Sequence, residues 1–165
     1  MALLRAATLV AATITTGLIA GLFYAYACSV MPGLRRTDDQ TFVTTMRQIN
    51  EAILNGWFAI IFVGAPLLTA AAVVLHLPTA GRPMLPWIVA AFLLNTAMIA
   101  ITFGINVPLN NELATANPNS TTPATIRRKF EAKWVRWNIA RAATPTAALA
   151  CLSWALILCG RLGSP

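Results

Sequence analysis

The chain has 165 residues, a length suited to one domain, of which 58% are hydrophobic and only 10% charged. That balance lies far outside the soluble average and excludes an ordinary water-soluble domain, whose core at this size could not hide so much apolar surface. A net charge of +7 invites a nucleic-acid reading. The basic residues crowd beside apolar windows, however, where they serve as topology determinants and membrane-surface anchors, so no nucleic-acid partner is expected.

Charge-free windows run from Ala6 to Leu34, Ala52 to Leu75, Pro83 to Asn111 and Ala142 to Gly160. Each can cross a hydrocarbon core of roughly 30 Å at about 1.5 Å per helical residue. The expectation is a single all-α domain over residues 1–165: an integral membrane four-helix bundle with two amphipathic surface helices. Its spans fall near 6–31, 56–76, 84–107 and 142–160, a multi-pass arrangement in the cell membrane with lipid as its surroundings.

In the first helix, Arg5, an apolar run and Ala25-Tyr26-Ala27 before Cys28 loosely imitate a cleaved signal or lipoprotein site. The run is twice the length of an ordinary signal core and Tyr26 fits a lipoprotein box poorly, so a retained helix is expected. It should end at the breakers Met31-Pro32-Gly33. Thr37 to Asn55 then reads as an amphipathic helix, with Thr37 and Gln40 as a capping box and a stripe of Phe42, Met46, Ile49 and Ile53. Asn55-Gly56 stops it, and Trp57 sits where aromatic belts anchor a second span.

Gly64 and Pro66 predict a kink in that second span, and His76 to Pro86 reads as a short turn holding Arg82. Trp87 opens the third span, which should end within Asn106-Val107-Pro108-Leu109-Asn110-Asn111. Residues 115–124 read as a loop. From about Thr125 a second amphipathic helix carries Phe130, Trp134, Trp137 and Arg141 on one stripe, and the fourth span follows. Cys28, Cys151 and Cys159 form no disulfide framework and read as small packing residues.

Nine basic residues lie in the first and third connections and three (Arg5, Arg82 and Arg161) at the other end. The positive-inside rule therefore places both amphipathic helices in the cytoplasm and both termini outside. A faint repeat is also visible: aligning Phe42 with Phe130 sets Met46 on Trp134, Ile49 on Trp137 and Asn50 on Asn138.

Three polar clusters gather at that cytoplasmic end: Asn50 with Asn55; Asn106, Asn110 and Asn111; and Trp134, Arg136, Trp137, Asn138 and Arg141. Each has a plain structural reading. The amides at 50, 55 and 111 can cap helices, Asn95 in mid-span can bond to another helix, and the tryptophans can anchor at the interface. Convergence of amides, indoles and Arg141 at one end argues for more. The only histidine is His76, at the opposite end, and no glycine-rich phosphate loop or nucleophile elbow appears. No haem, flavin or metal cofactor is therefore expected.

Gly21-Leu22-Phe23, Met31-Pro32-Gly33-Leu34, Gln48-Ile49-Asn50, Asn106-Val107-Pro108-Leu109-Asn110-Asn111, Phe130-Glu131 and Trp134-Val135-Arg136-Trp137-Asn138 with Arg141 resemble the anthrone oxygenase-like family of small four-helix membrane proteins. The resemblance covers about residues 10–160. It implies oxidation of an anthrone to an anthraquinone without metal or flavin, because the anthranolate anion reduces oxygen itself. The protein would supply a flat apolar pocket and donors for the oxyanion. Under this resemblance Asn110, Asn138 and Arg141 take the catalytic role. Asn50, Asn106, Asn111, Trp134 and Trp137 would bind the apolar or aromatic small molecule, the tryptophans by stacking. No base is obvious; Glu131 and Glu112 are the candidates.

Two other classes fit the same inventory. One is a non-enzymatic accessory or small-molecule binding protein. The other is a transporter-like unit, which four helices could form only as a homo-oligomer and which lacks an intramembrane charge for ion coupling.

Overall fold

Apolar runs with few breakers become helices, three of the four longer than the windows that announce them. The computed structural model describes residues 1–78, 83–117 and 121–163, with side chains through Arg161. Arg82 and residues 118–120 of the expected loop lie outside the described residues. Among the described residues there are five helices: α1 (Ala2–Leu34), α2 (Asp39–Ala52), α3 (Gly56–His76), α4 (Leu85–Thr115) and α5 (Pro123–Gly163). Four of them, all but α2, are long and apolar enough to cross a membrane. At 21 residues α3 is about 31 Å long, close to one hydrocarbon thickness. With 41 residues α5 reaches about 60 Å, so its charged first half projects beyond the span.

The spanning helices close a ring in which α1 packs on α3 and α5, and α4 packs on α3 and α5. Short connections make neighbours antiparallel. Ile14, Leu18, Leu67, Val74 and Leu93 stand exposed around the outside. In water they would form an apolar patch of unusual extent; in lipid they are the expected face. In mid-bundle the Asn95 amide donates to the Thr16 and Thr69 hydroxyls at 3.1 and 3.2 Å, tying α4 to α1 and α3. That fulfils the structural reading of Asn95.

Several boundaries differ from expectation. Neither Pro32 nor Pro108 ends its helix: α1 runs to Leu34 and α4 to Thr115. Each proline follows a π turn, Tyr26–Val30 in α1 and Thr102–Asn106 in α4. There Met31 and Val107 donate backwards over five residues, to the Tyr26 and Thr102 carbonyls. The wider turn absorbs the proline that would otherwise clash with its own helix. The same device precedes the proline in both halves, although not in the register that aligns Phe42 with Phe130. The halves differ beyond it, since the second amphipathic helix and the fourth span are one helix, α5. Pro145 removes an N–H there, and the Thr144 hydroxyl donates to the freed Arg141 carbonyl at 3.4 Å.

Asp38, not Thr37, caps α2. Its carboxylate accepts from the Thr41 N–H at 2.9 Å and from the Thr41 hydroxyl at 2.6 Å. Those bonds, on an exposed side chain at the positive end of the helix, hold the Asp38 carboxyl below its usual range. Thr37 instead donates to the Leu34 carbonyl and closes α1. At the far end of α2, Ala52 is the last helical residue, and Asn55 accepts from the Phe58 N–H at 3.1 Å to start α3.

Helix α2 lies across one end of the ring. Its Phe42, Val43 and Met46 are buried with Tyr26, Met31, Leu109, Phe130 and Trp134. Arg47 reaches from α2 to the Leu113 and Ala116 carbonyls at 2.9 and 2.7 Å, capping the C-terminus of α4. On the other flank Arg127 bonds Asp39, Glu131 and the carbonyls of Arg35 and Thr37, with its guanidinium 4.5 Å from the Phe42 ring centre. Arg35 completes this clasp with Glu131 at 3.0 Å. The two surface elements, α2 and the first half of α5, thus sit at the same end of the bundle.

Candidate functional site

Between the N-terminal half of α3 and the C-terminal half of α4, beneath α2, a cavity of about 670 Å³ opens. Aromatic rings make its walls. Phe58 and Phe62 stack at 4.9 Å on α3, Phe62 meets Phe103 of α4 edge-on at 5.9 Å, and Phe23, Tyr26 and Trp134 form the floor. Tyr26 and Thr102, the first residues of the two π turns, both line it. The π turns therefore shape the site directly, a common use of such irregularities.

Arg141 is the deepest charge, with 6% of its surface exposed. Its guanidinium carbon lies 4.2 Å from the Phe23 ring centre and 5.2 Å from that of Trp134. Nε donates to the Asn138 side-chain oxygen at 3.0 Å. Among the described residues no carboxylate pairs with it. The chain's five acids are placed elsewhere: Glu131 and Asp39 on Arg127, Asp38 on its cap, Glu112 beside a separate pocket of about 200 Å³, and Glu51 at the rim of the large cavity. A buried cation without a counter-ion is expensive, and two rings offset only part of that penalty.

The residues singled out from sequence divide into two groups. Asn50, Asn110, Asn111, Trp134 and Arg141 line the cavity together. Asn110 accepts from the Trp134 indole N–H at 2.8 Å, which fixes the ring that floors the site. Among the described residues the buried amide nitrogen of Asn50 has no hydrogen-bond partner, so an unused donor adjoins the cavity. Asn106, Trp137 and Asn138 are not among the lining residues. Asn138 is fully buried, donates to the Phe23 carbonyl at 3.2 Å and orients Arg141. Asn106 is also fully buried and donates to the Trp134 carbonyl at 3.4 Å.

Helical geometry explains the split. At 100° per residue, Arg141 stands only about 20° around the helix from Trp134, whereas Trp137 stands about 60° away and Asn138 about 40° to the other side. Both base candidates, Glu131 and Glu112, lie off the cavity. Sequence reasoning missed Tyr26, Thr102, Arg47 and Glu51. The first two depend on the π turns, which no residue pattern announces. The last two follow Phe42 and Met46 by five residues each and could have been found by asking which polar flank of the α2 stripe faces the bundle end.

The fold and this cavity define a four-helix membrane protein whose polar chemistry is gathered at one end. Residues 57–151, more than half of the chain, match the family model described as anthrone oxygenase, and the chain belongs to that family. No curated protein and no solved structure matches it. The matched segment holds Asn106, Asn110, Asn111, Trp134, Trp137, Asn138 and Arg141, and begins after Asn50. It is shorter than the resemblance read over residues 10–160.

Proposed function

We propose that the protein is a cofactor-independent oxygenase of the cell membrane acting on a flat, anthrone-like aromatic ketone, with α2 and the cavity mouth on the cytoplasmic side. The observation that carries the reading is Arg141, a cation nine-tenths buried between two rings, lacking a carboxylate partner and lining an aromatic cavity. It is suited to the oxygen of an anthranolate. A donor held ready for a developing oxyanion is typically worth about 2.7–4 kcal/mol. At about 1.36 kcal/mol per pKa unit, that is a gain of about two to three units in substrate acidity.

The unused Asn50 donor is a second group able to meet a substrate oxygen. Asn110 fixes the Trp134 ring on which the substrate stacks, and Asn138 orients the guanidinium. Loss of a proton from the substrate methylene gives the anion, which passes one electron to dioxygen. The resulting radical and superoxide combine to a peroxide, and loss of water leaves the new carbonyl. One ketone methylene and one dioxygen give one quinone carbonyl and one water.

The test is oxygen uptake by the purified full chain with an anthrone, followed by product absorbance. The parent should turn over, and Arg141→Gln should be slower by roughly a hundredfold or more. A parent that binds the anthraquinone product without consuming oxygen with the anthrone would make ligand binding without turnover the better reading.

A further inference from the structure

The geometry points to Glu51 as the general base that removes the substrate proton, working opposite Arg141 across the cavity. The inference rests on the oxygenase reading above and supplies the group that reading lacks. Of the chain's five acids, Glu51 alone lines the large cavity. Asp38 is held by Thr41, Asp39 and Glu131 are held by Arg127, and Glu112 lies off the cavity, beside the smaller pocket. Among the described residues, no hydrogen bond or ion pair occupies the Glu51 carboxylate.

The remaining polar groups of the cavity are poorer proton acceptors near neutral pH: the Tyr26 phenol still carries its own proton there, and the Trp134 indole only donates. Arg47 and Arg141 are cations, the asparagines are neutral amides, and the Thr102 hydroxyl is committed to the Met98 carbonyl at 2.8 Å. Position supports the assignment as well. Arg141 is at the buried floor on α5, while Glu51 is exposed at the rim on α2. An anthrone carries its carbonyl and its acidic methylene on opposite edges of the central ring. With the carbonyl oxygen on Arg141, the methylene turns towards α2.

The proton balance closes on one residue. The Glu51 carboxylate takes a proton from the methylene, and the electron pair of the broken C–H bond is delocalised onto the oxygen facing Arg141. After the anion has reacted with dioxygen, the Glu51 carboxylic acid returns that proton to the peroxide anion. The carboxylate then removes the remaining hydrogen from the same carbon as the O–O bond breaks. The carbonyl forms, and the departing hydroxide takes that proton from Glu51 and leaves as water.

The experiment compares the parent, Glu51→Gln and Glu51→Asp in detergent. It measures oxygen uptake with an anthrone protonated or deuterated at the methylene, and binding of the anthraquinone product. Expected for Glu51→Gln is turnover at least about a hundredfold lower, unchanged product affinity and an unchanged melting temperature, with Glu51→Asp recovering part of the rate. Glu51→Gln turning over within about threefold of an active parent overturns the assignment and leaves the oxygenase reading standing. A parent that never consumes oxygen removes that reading, and Glu51 as its base with it.

Discussion

At the end of the bundle that holds Met1 and Arg161, the core is made of small residues: Ala12, Ala72, Ala91, Ala148 and Ala155 with Leu9, Ile88 and Leu152, all fully buried. At the other end it is made of rings, with Phe42 of α2 packed on Phe130 and Phe130 on Trp134. Small side chains let helix backbones approach, which is how spanning helices associate where lipid gives no hydrophobic drive. Large rings together with a crossing helix hold α3 and α4 apart and leave the cavity. Arg5 nonetheless serves the first end as Arg47 serves the second, capping a helix C-terminus through the Leu75 carbonyl at 2.7 Å. Closure by arginine is common to both ends; residue volume separates a sealed end from a hollow one.

The sharpest way to break that contrast is to release α2. The Arg127 side chain is 13% exposed and holds two carboxylates and two carbonyls. Arg127→Met should destabilise the protein by about 2–3 kcal/mol, because the part-buried Glu131 carboxylate loses the nearer of its two charged partners. The measurement is thermal unfolding in detergent. Ligand binding should fall as well, while the alanine end keeps its protection in hydrogen exchange.

A smaller effect sharpens the contrast by adding volume at each end. Ala91→Leu puts a large side chain where no exposed surface remains and should cost about 1–3 kcal/mol. Ala59→Leu, on the exposed cavity wall, should leave the melting temperature unchanged and weaken binding of an anthraquinone. Equal losses of stability from both changes would mean that the cavity is not open space.

Much of the architecture was legible because it depends on composition. Four charge-free windows and two striped connections are enough to predict spanning helices with both amphipathic elements at one end. Helix ends were less legible, because Pro32 and Pro108 read as terminators and a π turn leaves no mark in the residues. The site was legible where one helix carries it, as with Trp134 and Arg141. It blurred at Trp137 and Asn138, where tens of degrees of rotation separate a lining residue from its neighbour. Glu51 was hidden for a different reason: its importance comes from the placement of the other four acids, a property of the whole fold.

The most direct test is whether the cavity holds an aryl oxyanion against Arg141. A hydroxyanthraquinone reports this optically, since its phenolate absorbs at longer wavelength than its phenol. Titrated while bound to the parent protein, its phenol should ionise about two to three pH units below its value in detergent alone, the shift equivalent to one preorganised donor. In Arg141→Gln the bound dye should return to the detergent value, with the protein still folded. A dye that ionises at the same pH on the parent, on Arg141→Gln and in empty detergent would contradict an oxyanion site at Arg141.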